Sequence, residues 1–127
     1  MGAHPDCATA DRQDGAIVAK AVVRASASLE IPEDVVAQVI GVGVRDISLM
    51  RAGELQLDPS SKPFQLAVLF VRLFRSLDAL VGGDKSVAGA WLRNDNLALG
   101  GRPIDLIQTV SGLTNVISYL DARRAMV

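Results

Sequence analysis

Apolar residues recur along nearly all of this chain at intervals of three and four, the spacing that lines one face of an α-helix. Ile17, Val18, Ala21, Val22, Ala25 and Leu29 make the first such face. Pro32 stands at the start of a second helix, ahead of Val35, Val36, Val39 and Ile40, and Gly41 ends it. A third helix is predicted from about Val44 to Ala52, stopped by Gly53. The following "ELQLDPSS" alternates like a strand, but Pro59 and the serines make it a loop.

Pro63 opens the longest predicted helix, which runs to Gly82-Gly83. Leu66, Leu69, Phe70, Leu73, Leu77 and Leu80 form its main stripe, while Val68, Val71 and Phe74 lie away from it. Apolar residues on more than one face predict a central helix buried on more than one side, or one that also meets a second copy. Arg72, Arg75 and Asp78 interrupt the run and argue against a membrane span. Asp84 caps a helix carrying Val87, Ala88, Trp91 and Leu92, which Asn94, Asp95 and Asn96 end. Trp91 is expected as a core filler, and Asn94 and Asn96 as loop-backbone partners. Gly100-Gly101 turns the chain, Pro103 starts a short helix, and Ser111-Gly112 marks a break. Leu113, Val116, Ile117 and Leu120 give the last helix its buried face. The pattern predicts an all-α fold.

With 127 residues, half of them apolar, the chain has material for one core, built from aliphatic side chains because aromatics are only 4%. One Cys7 and one His4 exclude an internal disulfide and a metal-ligand cluster, and fit a reducing cytoplasm. Both lie in the polar opening, residues 1–14, which reads as a disordered tail without the apolar core of a signal peptide. Net charge is −1, so no strong basic excess announces nucleic-acid binding. No nucleophile–base pair or carboxylate dyad is apparent, and neither an enzyme nor a bound cofactor is expected. The G-x-G of "VIGVGVRD" lacks a third glycine and a βαβ setting, so it is no dinucleotide fingerprint.

Residues 33–52, "EDVVAQVIGVGVRDISLMRA", fit a helix-turn-helix. Ala37 supplies the small residue where the two helices pack closest, and Gly41 the turn residue tolerant of positive φ. Val36, Ile40, Val42, Ile47 and Met50 fill the core-facing slots. In that template Arg45, Asp46, Ser48 and Leu49 face a DNA major groove, with Arg51 and Lys62 placed for backbone phosphates. Asp46, Glu33, Asp34 and Glu54 oppose such contact by repelling phosphate, leaving a helix-turn-helix kept purely as scaffold as the competing reading.

Four blocks in the last half carry a more specific pattern: "LFVRLFRSLDALVGG", "WLRNDNLALGG", "RPIDLI" and "GLTNVISYLDARR". Over roughly residues 64–124 the chain resembles antitoxins of the Xre/MbcA/ParS type. The resemblance implies three parts: a tail over 1–14, an Xre-like helix-turn-helix domain over 15–62, and a toxin-binding domain over 63–127. The first domain is joined to the second through the long central helix. Gly43 departs from the Ser or Thr that Xre-like proteins often place there. The resemblance further implies a homodimer that binds operator DNA, and a C-terminal domain that grips a NAD-consuming RES-domain toxin, the chain's end obstructing its active site. Tyr119, Leu120, Arg123, Arg124, Met126 and Val127 are then the candidate toxin-binding residues. The bland alternative for Asp121, Arg123 and Arg124 is a surface pair and a helix end answering its own dipole. A dimeric transcription regulator without a toxin is the competing function.

Overall fold

The computed structural model describes residues 5–125, with side chains from Gln13 onward, and these residues form seven α-helices and no strand. They are α1 (Pro5–Ser28), α2 (Glu33–Ile40), α3 (Val44–Arg51), α4 (Lys62–Leu80), α5 (Lys85–Arg93), α6 (Pro103–Leu106) and α7 (Val110–Ala125). The predicted all-α class is therefore observed. None of the helices is long and apolar enough to cross a membrane.

The long α4 occupies the centre, packed against α1, α2 and α7. Ser61 starts it by accepting the Phe64 N–H at 3.3 Å, with Pro63 in the first turn, where a missing N–H costs nothing. Phe70, Leu73 and Leu77 are completely buried along its length. They join Val22 of α1, Leu29 just after it, Val36 and Ile40 of α2, and Leu113, Val116 and Leu120 of α7 in one continuous apolar core. Burying aliphatic side chains of this size stabilises by about 1.5–3 kcal/mol each.

Between α2 and α3 the chain turns in three residues. Gly41 takes the left-handed conformation at φ +76°, which L side chains rarely adopt, and its N–H closes onto the Ala37 carbonyl. Ala37, Ile47 and Met50 are buried where the two helices face each other.

Several boundaries and faces differ from the sequence reading. Helix α1 begins at Pro5, so the backbone of residues 5–14 is helical where a tail is expected; its alanines and the proline in its first turn suit a helix start. Ile17 is 63% exposed; of the predicted first face Val22, Ala25 and Leu29 are buried, and Ala19 and Ser26 join them. Ser26 sits there at no polar cost because its hydroxyl donates to the Val23 carbonyl. Ser111-Gly112 does not break the last helix, which starts at Val110 and runs through both. Gly112 is required for another reason: a Cβ there would lie 1.8 Å from the Leu106 carbonyl oxygen, so only glycine lets α7 pass this close to the end of α6. Trp91 is half-buried at the edge of the core and not a filler within it.

Candidate functional site

The C-terminal half of α7 is held in place from two sides. On one, Tyr119 stacks on Trp91 of α5, with ring centroids 6.3 Å apart and planes 24° from parallel. On the other, Asp121 reaches α4, where one carboxylate oxygen accepts the Ser76 hydroxyl at 2.9 Å and the other the Arg72 guanidinium at 2.6 Å. The hydrogen bond from Ser76 and then that from Arg72 hold the Asp121 carboxyl below the usual carboxylate range. Ser76 is itself buried and, through a 3.3 Å contact, also receives Arg124.

The two arginines of the last turn consequently point to different sides. Arg123 folds back over Tyr119, its Nη1 donating to the phenolic oxygen at 3.0 Å and its guanidinium 5.7 Å from the ring centre. Arg124 leans toward α4, 4.0 Å from Asp121. Both remain exposed. Of the other residues predicted to meet a toxin, Tyr119 is half-buried with its ring committed to Trp91. Leu120 is wholly buried and belongs to the core, because at this point in the helix its side chain faces α4 together with Val116 and Leu113. It is removed from the exposed set. Met126 and Val127 lie outside the described residues.

Of the residues predicted to read DNA, Arg45, Asp46, Ser48, Leu49 and Arg51 lie on α3 and Lys62 at the start of α4, and most of their polar groups are occupied. Asp46 turns back to accept the Gly43 N–H at 3.0 Å, capping its own helix, so its charge serves the start of α3. Glu33 of α2 draws in two others: its carboxylate takes the Ser48 hydroxyl at 2.9 Å and the Arg51 guanidinium at 2.8 Å. Leu49 is half-buried. Arg45 and Lys62 are exposed and make no ion pair or side-chain hydrogen bond among the described residues.

Sequence reasoning missed two features. Arg93, at the end of α5, donates through Nη2 to the Leu29 and Glu30 carbonyls at 3.0 and 2.7 Å, and through Nη1 to the Gly89 carbonyl at 3.1 Å. It thereby satisfies carbonyls left over where α1 ends, with Glu30 in the left-handed region at φ 54°. Arg72, Arg75 and Arg124, from α4 and α7, also converge on an open trough floored by Ser76 and Asp121. The only available signal was an arginine repeat on one face of a helix.

This C-terminal region is helical, ends in an arginine-bearing last turn, and holds no metal-ligating cluster among the described residues. Residues 76–125 match the family model of the antitoxin Xre/MbcA/ParS C-terminal toxin-binding domain. The resemblance read from the sequence is thus found again over that segment, which is similar to a toxin-binding antitoxin domain of this type. No curated protein matches the chain.

Proposed function

We propose that this chain is the antitoxin of a type II toxin–antitoxin pair, and that it silences a RES-domain, NAD-consuming toxin by lodging the end of α7 in the toxin's active site. The observation that carries this reading is the match of residues 76–125 to an antitoxin toxin-binding domain. The structure supplies a physical route: Leu120 is the last buried apolar residue of α7, and Arg123 and Arg124 follow it on the exposed final turn. A site that binds a dinucleotide pyrophosphate holds complementary charged and polar groups, which guanidinium groups on a protruding chain end can engage.

We further propose that the α2–α3 pair acts as a helix-turn-helix in a homodimer that represses its own operon in the cytoplasm. Exposed Arg45 at the start of α3 and Lys62 at the start of α4 are the groups left to meet DNA. Two copies over two half-sites double that small complement. A regulator without a toxin is less well supported, because it leaves the toxin-binding family match without a role.

The test is co-expression with the protein encoded by the adjacent reading frame, purification on one tag, and an NAD-consumption assay. A stoichiometric complex with suppressed activity is the expected result. Truncation after Leu120 should leave a folded chain that no longer suppresses the enzyme, since the core residues of α7 are retained. Full suppression by the truncated chain would refute insertion of the chain's end.

A further inference from the structure

The trough between α4 and α7 brings three guanidinium groups around one carboxylate. Asp121 is already shared between Arg72 and Ser76, and Arg124 touches the same pair at longer range. Arg75 has no ion pair or side-chain hydrogen bond among the described residues. Three cations against one anion leave the trough with an excess of two positive charges, on side chains whose forked donors suit carboxylates. Beside it on the same face of α4 lies an apolar shelf of Val68 and Val71, completed by Val18 of α1 and bounded by the same Arg72 and Arg75. Val68 is 42% exposed, although the sequence pattern gives no polar reason for a valine there. Arginine is enriched at protein interfaces, and here two arginines border a small, partly exposed apolar surface.

We propose that this α4 surface is a second part of the toxin-binding site, with the Arg72–Arg75–Arg124 trough taking an acidic segment of the toxin and the valine shelf packing beside it. The argument for that occupant is continuity and charge. Arg124 lines the trough and also belongs to the chain end assigned above to the toxin's active site, so a toxin holding that end lies against α4 as well. Arg72 and Arg75 stand outside the matched segment, which begins at Ser76. The surface that grips the partner therefore extends beyond the toxin-binding domain into the helix that joins it to the N-terminal half. This inference rests on the antitoxin reading.

The experiment measures affinity of the full chain for the adjacent reading frame's protein by calorimetry at two salt concentrations, comparing Arg75→Glu with the parent. Arg75→Glu is expected to weaken binding by about tenfold or more and to reduce the salt dependence, since it removes a charge that pairs across the interface. Arg75→Ala gives the same direction with a smaller loss, and guards against misfolding of the reversal. Arg24→Glu, the same charge change on α1, should leave affinity unchanged. Equal weakening by Arg24→Glu, unchanged affinity in Arg75→Glu, or a changed oligomeric state of free Arg75→Glu would each overturn the proposal. The last result would assign the surface to a second copy of the chain. The truncation after Leu120 separates the two levels: if it abolishes suppression while Arg75→Glu binds normally, only the α4 extension falls. If no complex forms with the parent chain, the antitoxin reading falls with it.

Discussion

Replacing Arg93 with methionine removes a tie between parts of the chain more than sixty residues apart while keeping most of the aliphatic stem. In the folded protein Nη2 donates to two carbonyls at the end of α1, Leu29 at 3.0 Å and Glu30 at 2.7 Å. A hydrogen bond from a charged donor contributes about 1.5–3 kcal/mol net when fully sequestered. Arg93 is only half-buried and the Glu30 contact is open to solvent, so water partly replaces what is lost. The reasonable total for Arg93→Met is about 1–3 kcal/mol. For a domain of this size each kcal/mol moves the melting midpoint by roughly 4 °C, so the expected drop is about 4–12 °C. Circular dichroism melts read it directly, and urea titration at 25 °C checks that the slope is unchanged. Arg93→Lys should fall between parent and methionine, because an ammonium keeps the charge but not the fork that reaches two carbonyls. A melting point within 1 °C of the parent for Arg93→Met would show that the α1 end is satisfied equally well by water, and that Arg93 does not hold the two regions together.

Two other outcomes follow from residues of α7. Leu120→Ala empties a fully buried site and should cost about 2–5 kcal/mol, yet bind the toxin normally at temperatures where it remains folded; weakened binding there would return Leu120 to the interface. The Asp121 carboxyl, held below its ordinary value by Ser76 and Arg72, contributes stability above the unfolded carboxylate range near pH ~4. That contribution is lost as pH falls through the lower folded value. The difference in melting point between parent and Asp121→Asn should therefore be constant from neutral pH to about pH 5 and shrink below pH ~4. A difference that persists undiminished to pH 3 would mean that Asp121 acts through shape and not charge.

The helices themselves were legible because each repeats one local rule many times over. Pro63, Asp84 and Gly41 mark ends by chemistry that operates within a single turn, and the structure uses all three where the sequence sets them. Errors of phase arise where that local signal is thin. The predicted first face holds Val22, Ala25 and Leu29, which are buried, but also Ile17, which is exposed, because the small Ala19 and Ser26 that complete the buried face carry little apolar signal. Ser111-Gly112 resembles a break because glycine disfavours helix, but here glycine answers the Leu106 carbonyl, a contact the sequence does not reveal.

The polar groups were less legible, and the reason is the same in each case: a charge chooses its partner in space. Asp121 and Arg124 look like an i,i+3 surface pair, yet they are 4.0 Å apart, while Asp121 holds Ser76 and Arg72 at 2.9 and 2.6 Å from 45 and 49 positions away. Ser48 looks like a groove-facing group and Arg51 like a phosphate contact until Glu33 on α2 is seen to engage both. Each shift bears on function in an opposite sense. Around Glu33 the acidic partner engages Ser48 and Arg51, so of the polar groups proposed to contact DNA only Arg45 and Lys62 stay without an ion pair or side-chain hydrogen bond among the described residues. Around Asp121 one acid is outnumbered by three arginines, so pairing fixes the trough without cancelling its charge. The N-terminal half thus spends its polar groups internally, whereas the α4–α7 face keeps cations in excess beside exposed valine. That imbalance is the physical ground for the proposed partner-binding surface on the C-terminal side of the molecule, where the antitoxin-domain match also falls.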